Sequence, residues 1–212
     1  MKQFIVIFIL FINNIFINNI FINLLFMNIF VNTYCINIPN SVKTFLEKNP
    51  NMPMVYGNKL LRNNELSIEH IFPKCYLYKE HHNDIHNLFL ADKYINNQRS
   101  NFKFTDYDIS NDKYWIKLSN NYVNPTKRLF IPYNESRGII ARSIMYMSFE
   151  YGYQYKKIIN ENLLIEWCLK YRPTEKEKFH NEFAFRYQNK LNKFITKYDD
   201  LNYYKFIERT LL

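Results

Sequence analysis

Residues Ser67 to Asn101, SIEHIFPKCYLYKEHHNDIHNLFLADKYINNQRSN, constrain this chain more than any other stretch. They hold His70, His81, His82 and His86, every histidine except His180. The apolar residues around Glu69 and His70, closed off by Pro73, read as the end of a β-strand, and Leu88 to Asn97 fits a helix of about three turns. Successive residues on a regular strand point to opposite faces. Glu69 and His70 therefore serve one site only if the chain twists or leaves the strand there, and Pro73 favours an early exit.

The residue types suggest a chemistry. Glu69 supplies a hard anionic oxygen and Asn96 a neutral carbonyl oxygen, a pairing suited to magnesium, which keeps most of its waters and takes few protein ligands. His70, with an ordinary pKa near ~6.5, can accept a proton from water at neutral pH if it is not itself a ligand. A Glu-His dipeptide with no further context is more often a plain surface pair. His81 and His82 sit in the charged loop YKEHHND without the spacing of a structural zinc site, and read as solvated.

Three blocks in order, EHIFPK, DIHNLFLADKYINNQRSNF and RGIIARSIMYM, resemble the endonuclease I family of secreted, non-specific bacterial nucleases, which use the ββα-metal (His-Me finger) motif. The resemblance implies an α+β fold with additional helices. It makes His70 the general base, and Glu69 and Asn96 the protein ligands of a Mg2+ ion, with Mn2+ or Ca2+ as alternatives. It implies action on DNA, and often RNA, leaving 5′ phosphates as the ion stabilises the departing 3′ oxygen. His86 and Asn87 match the family's D-x-H-N-L core and read as supporting groups: Asp84 or Asn87 as cap of the helix bearing Asn96, His86 as orienter of a neighbour.

For the phosphate contact the local candidates are Lys74, Lys79 and Arg99. Arg99 ranks first because its fork can engage two oxygens, the alternative being that it holds the fold together. Arg137 and Arg142 flank the start of a helix whose apolar face carries Ile140, Ile144, Met147 and Tyr151. Arg142 reads either as a phosphate-reaching group or as the buried partner of a carboxylate. The contrasting function is a catalytically idle nucleic-acid binder that keeps the fold.

No charged residue lies between Lys2 and Lys43, and phenylalanine recurs at positions 11, 16, 21 and 26, a period that fits neither helix nor strand. Lys2 and the apolar run Phe4 to Ile12 have the shape of an export signal, while Phe4 to Val31 is long enough to cross a bilayer. Residues 1–37 are therefore expected to be a signal peptide or membrane anchor. Residues 38–212 are then a single, monomeric nuclease domain working outside the cytosol.

Further along, two helices are expected, over Asn160 to Tyr171 and then from a Thr174/Glu177 capping box through Phe194. An amphipathic tail from Asp199 follows. The net charge of +9, from 28 Lys plus Arg against 19 Asp plus Glu, modestly favours an anionic polymer as partner. Of the three cysteines, Cys35, Cys75 and Cys168, the last two are the expected pair if a disulfide forms.

Overall fold

The computed structural model describes residues 65–110 and 113–200, together with 46, 48–49, 51–57, 203, 205 and 207. The export-signal reading of residues 1–37 falls outside them. Among the described residues, no helix is long and apolar enough to cross a membrane.

Three strands form the first sheet, in the order β1 (Met54–Val55), β3 (Leu88–Asp92), β2 (Leu66–His70); β2 pairs antiparallel and β1 parallel to β3. Helix α1 (Lys93–Arg99) follows β3 directly. The expected helix from Leu88 is thus half strand. Phe89 and Ala91 enter the main core while Leu88 and Leu90 enter a second apolar cluster with Leu46, Ile85 and Phe183. A strand buried on both faces reads as an unbroken apolar run, which periodicity cannot separate from a buried helix. Asp92 marks the true boundary: its Oδ1 accepts from Tyr94 N at 2.8 Å and Ile95 N at 3.1 Å, so it caps α1 in place of Asp84 or Asn87.

The second sheet has the order β4 (Lys103–Phe104), β7 (Leu129–Ile131), β6 (Asn121–Asn124), β5 (Ile116–Leu118). Helices α2 (Arg137–Tyr151), α3 (Glu161–Lys170), α4 (Glu175–Gln188) and α5 (Lys193–Thr196) follow the second sheet, and short 3-10 turns such as Ile85–Asn87 and Asn134–Ser136 join elements along the chain. Helix α2 is buried all round from Arg137 to Met147 rather than on one face. Ile140, Ile144 and Met145 pack there with Leu164 and Trp167 of α3 and with Phe104 and Phe130 of the second sheet.

The RGIIAR block is explained by packing. Arg142, 1 % exposed, donates Nε–H to Glu177 Oε1 at 2.6 Å and an Nη2 proton to Oε2 at 2.7 Å, while Nη1 reaches Tyr171 O at 2.5 Å. This arginine is a buried carboxylate partner. Gly138, one turn earlier, is required by the close approach: a Cβ there would lie 2.6 Å from both Arg142 Nη2 and Tyr171 O. Thr174 caps α4 by accepting from Glu177 N at 3.2 Å, but the Glu177 side chain turns to Arg142 instead of closing a capping box. Arg137 is also buried, paired with Asp106 at 2.9 Å and lying over the Trp167 ring.

Helix α4 stops at Asn189, which takes a left-handed φ of 53°, so Leu191 and Phe194 lie beyond it. Asparagine tolerates this conformation better than most residues. Residues 203, 205 and 207 are helical, with Tyr203 and Ile207 buried and Lys205 exposed, the alternation expected of an amphipathic tail. Cys75 is exposed and Cys168 buried, and both are free thiols, so the expected pairing is absent.

His180 is a core group. Its Nε2–H donates to Leu88 O at 3.1 Å, its ring stacks on Phe89, and burial pushes its pKa down to about 3. An unfolded chain protonates this imidazole below pH ~6.5 whereas the folded one does not, so stability falls as pH drops from ~6.5 toward the folded value. His180→Gln, which retains a neutral donor for Leu88 O, is expected to flatten the decline of the urea midpoint over that range. A decline as steep as that of the natural chain would contradict this.

Candidate active site

Glu69 and Ser67 share the face of β2 that α1 covers, and Glu69 is only 3 % exposed. Burial raises its pKa, opposed by the Arg99 charge and by the hydroxyl of Tyr56. Arg99 Nη1 lies 2.9 Å from Glu69 Oε1, and Tyr56 Oη donates to the same oxygen at 2.6 Å. A buried carboxylate with two such donors is a fixed anionic oxygen pair.

Asn96 projects from α1 onto the same strand. Its Nδ2 donates to Ile68 O at 3.1 Å and to Ser67 Oγ at 3.0 Å. Since Ile68 O can only accept, the amide orientation is determined, and Oδ1 is the atom turned away from the strand. One hard anionic oxygen and one neutral amide oxygen, both held by the protein, fit a magnesium-type cation that retains waters. Among the described residues no group of three His, Cys, Asp or Glu side chains is placed to hold a metal.

His70 is the last residue of β2, Ile71 N still donates to Asn87 O at 3.1 Å, and the chain turns away at Phe72 and Pro73. Two buried residues fix that exit. Asn87 Oδ1 accepts from Phe72 N at 2.7 Å and its Nδ2 donates to Phe72 O at 3.0 Å, a side-chain substitute for the next rung of the ladder. Arg99 donates to His70 O at 3.3 Å and to Ile71 O at 2.7 Å.

The His70 ring is half-buried, with Nε2 2.9 Å from His82 O. A carbonyl accepts only, so Nε2 carries the proton and Nδ1 presents a lone pair. Burial lowers the pKa of this imidazole, with the Lys74 charge contributing in the same direction, so it is neutral near pH 7. The loop bearing His82 is itself anchored: Tyr153 Oη accepts from Tyr78 N at 2.9 Å and lies 2.7 Å from His81 Nδ1, while the His81 ring stacks on Tyr151. His81 and His82 are therefore half-buried parts of a braced loop rather than freely solvated.

The remaining expected groups lie around this site in supporting positions. Arg99 is 1 % exposed, with Nη1 and Nη2 spent on Glu69 and main-chain carbonyls and its Cζ 4.4 Å from the Phe104 ring centroid. Of the two readings of Arg99, the fold-holding one matches this setting. Asp84 accepts from Tyr146 Oη at 3.1 Å, Tyr151 Oη at 2.5 Å and Gln188 Nε2 at 2.9 Å, joining the loop to α2 and α4. His86 lies 2.9 Å from Lys190 O through Nε2, and burial lowers its pKa. Two contributors carried little sequence signal: Tyr56, in a turn-rich stretch, and the main-chain carbonyl of His82, which no side-chain pattern advertises.

An antiparallel strand pair feeding a short helix, with Glu-His at the end of the first strand and an asparagine on the helix, is the ββα-metal arrangement of His-Me finger nucleases. The Endonuclease I family model matches residues 40–198, well over half of the chain, and the chain belongs to that family. It is a nuclease by family, and nucleases of this class are generally metal-dependent.

Proposed function

We propose that this chain is a metal-dependent, largely sequence-non-specific endonuclease that hydrolyses phosphodiester bonds in DNA, and also in RNA, leaving 5′ phosphates. The observation that carries the reading is the His70 Nε2–H to His82 O hydrogen bond, which leaves a neutral Nδ1 lone pair on the residue that follows the buried Glu69. His70 Nδ1 takes the proton of the attacking water, a role that an imidazole used as a metal ligand could not fill. Glu69 and Asn96 hold the cation, which when bound supplies positive charge at the scissile phosphate and the departing 3′ oxygen.

With Arg99, Arg137 and Arg142 buried, the exposed candidates for the phosphate contact are Lys74 and Lys79, and Lys74 is preferred. It is exposed, it follows the strand exit directly, and its charge is felt at His70. Lysine contacts to phosphate position a strand without reading its bases, in keeping with non-specific action. Residues 1–37 would carry the enzyme out of the cytosol, the setting typical of this family.

Incubation of the purified protein with supercoiled plasmid tests the reading. Nicking is expected with Mg2+ or Mn2+ and not in chelator, and Glu69→Ala and Asn96→Ala are each expected to demand higher metal for half-maximal rate. Tight plasmid binding without cleavage under every divalent ion would select the idle binder instead.

A further inference from the structure

Tyr56 stands out on backbone grounds before its hydroxyl is considered. It sits just past β1 with φ of 69°, a left-handed conformation that is strained for a residue with a Cβ. Glycine or asparagine ordinarily fills such a position, yet a tyrosine is there and a glycine, Gly57, only follows it.

Three distant segments hold Tyr56 in that state. Its N–H donates to Ser136 Oγ at 2.8 Å, at the start of α2. Its carbonyl accepts from Asn121 Nδ2 at 2.8 Å, at the start of β6, and Asn121 is fixed in turn by accepting from Tyr133 N at 2.8 Å. The ring meets Phe130 of β7 edge-on, with centroids 4.9 Å apart. Strain that persists because its surroundings over-determine it gathers at functional sites. Here the product of the strain is visible: a 1 % exposed phenol whose Oη–H donates to Glu69 Oε1 at 2.6 Å.

We infer that Tyr56 is a positioning residue for the cation site: its hydroxyl, with Arg99, fixes the Glu69 carboxylate through Oε1 so that the group is presented to the ion in one orientation. The inference rests on the reading of Glu69 as a ligand. A neutral tyrosine suits the task because a second arginine would over-neutralise the carboxylate and weaken its pull on a cation. The strained turn then links the metal ligand to the second sheet and to α2, the two bodies of the core that do not otherwise touch Glu69 through a side-chain hydrogen bond among the described residues. Groups that orient a ligand from behind are commonly worth 10–100-fold in metal affinity.

The test is calorimetric titration of Mn2+ into the full chain and into its Tyr56→Phe, Glu69→Ala and Ser136→Ala variants, with Tm recorded with and without the ion. Tyr56→Phe keeps the ring and both main-chain anchors. It is expected to weaken Mn2+ binding about 10–100-fold and to shrink the Mn2+-induced rise in Tm, while the metal-free Tm stays near that of the natural chain. Ser136→Ala, which loosens the backbone but keeps the phenol, is expected to weaken binding by less.

An unchanged isotherm for Tyr56→Phe, with binding lost in Glu69→Ala, overturns the inference and leaves Glu69 as a ligand. An unchanged isotherm in Glu69→Ala removes the ligand reading and the inference with it. If Tyr56→Phe does not fold, Ser136→Ala decides: weaker Mn2+ binding supports the positioning role and an unchanged isotherm overturns it.

Discussion

His70→Ala is expected to cut the cleavage rate about 10²–10⁴-fold at saturating metal, the usual range for losing general acid–base assistance, with little change in metal affinity. The expectation follows from hydrogen-bond logic. His82 O fixes the Nε2 proton, burial keeps the ring neutral, and Nδ1 is left as the basic atom. Glu69, the neighbouring residue, is held from the other face of β2 by Tyr56 and Arg99, so removing the imidazole leaves those bonds in place. Plasmid nicking followed over time at saturating Mg2+ measures the effect. Near-natural cleavage by the variant would remove His70 from the role of base.

The second large effect is on stability. Arg142→Ala is expected to destabilise the fold by about 3–5 kcal/mol, because Glu177 is left as a buried, unpaired carboxylate. For a domain of this size that corresponds to a fall of roughly 10 °C in Tm. The variant also strips Tyr171 O of its donor and leaves a void against Gly138. Replacing both partners by apolar residues, Arg142→Met with Glu177→Leu, is expected to recover much of the loss, as removal of a whole buried pair often does. Thermal unfolding of the three proteins checks this; equal Tm values for Arg142→Ala and the natural chain would contradict it.

How far these features could be read from the sequence depended on what each residue does locally. The strand end at His70 was legible because Pro73 is a local signal, whereas Asn96 was marked by the resemblance of NNQRSN to the family's helix-borne asparagine and not by a local pattern. The boundary between β3 and α1 was not legible, since Leu88 to Ala91 face apolar surroundings on both sides and only Asp92 carries the punctuation. Arg99, Arg137 and Arg142 are the instructive case. An arginine at a candidate nuclease site suggests phosphate, but its charge says nothing about whether carbonyls and carboxylates from distant segments already surround it.

Tyr56 shows the same limit from the opposite side. Nothing in MVYGN marks a residue whose backbone is set by Ser136 and Asn121, far along the chain, and whose hydroxyl ends on Glu69. The His82 carbonyl is a main-chain group, present at every residue, and acquires meaning only when the loop brings it to His70. Asp84, His86 and Asn87 fall between: their density of polar side chains suggested support, while the groups they support became visible only in three dimensions.

The division of labour between Glu69, Asn96 and His70 is tested most directly by Mn2+ isotherms of the natural chain and of Glu69→Ala, Asn96→Ala and His70→Ala. Affinity is expected to fall in the first two variants, each of which removes a proposed oxygen ligand, and to stay near natural in the third. Loss of binding in His70→Ala alone, with Glu69→Ala and Asn96→Ala unchanged, would contradict the assignment and move the ion to the imidazole.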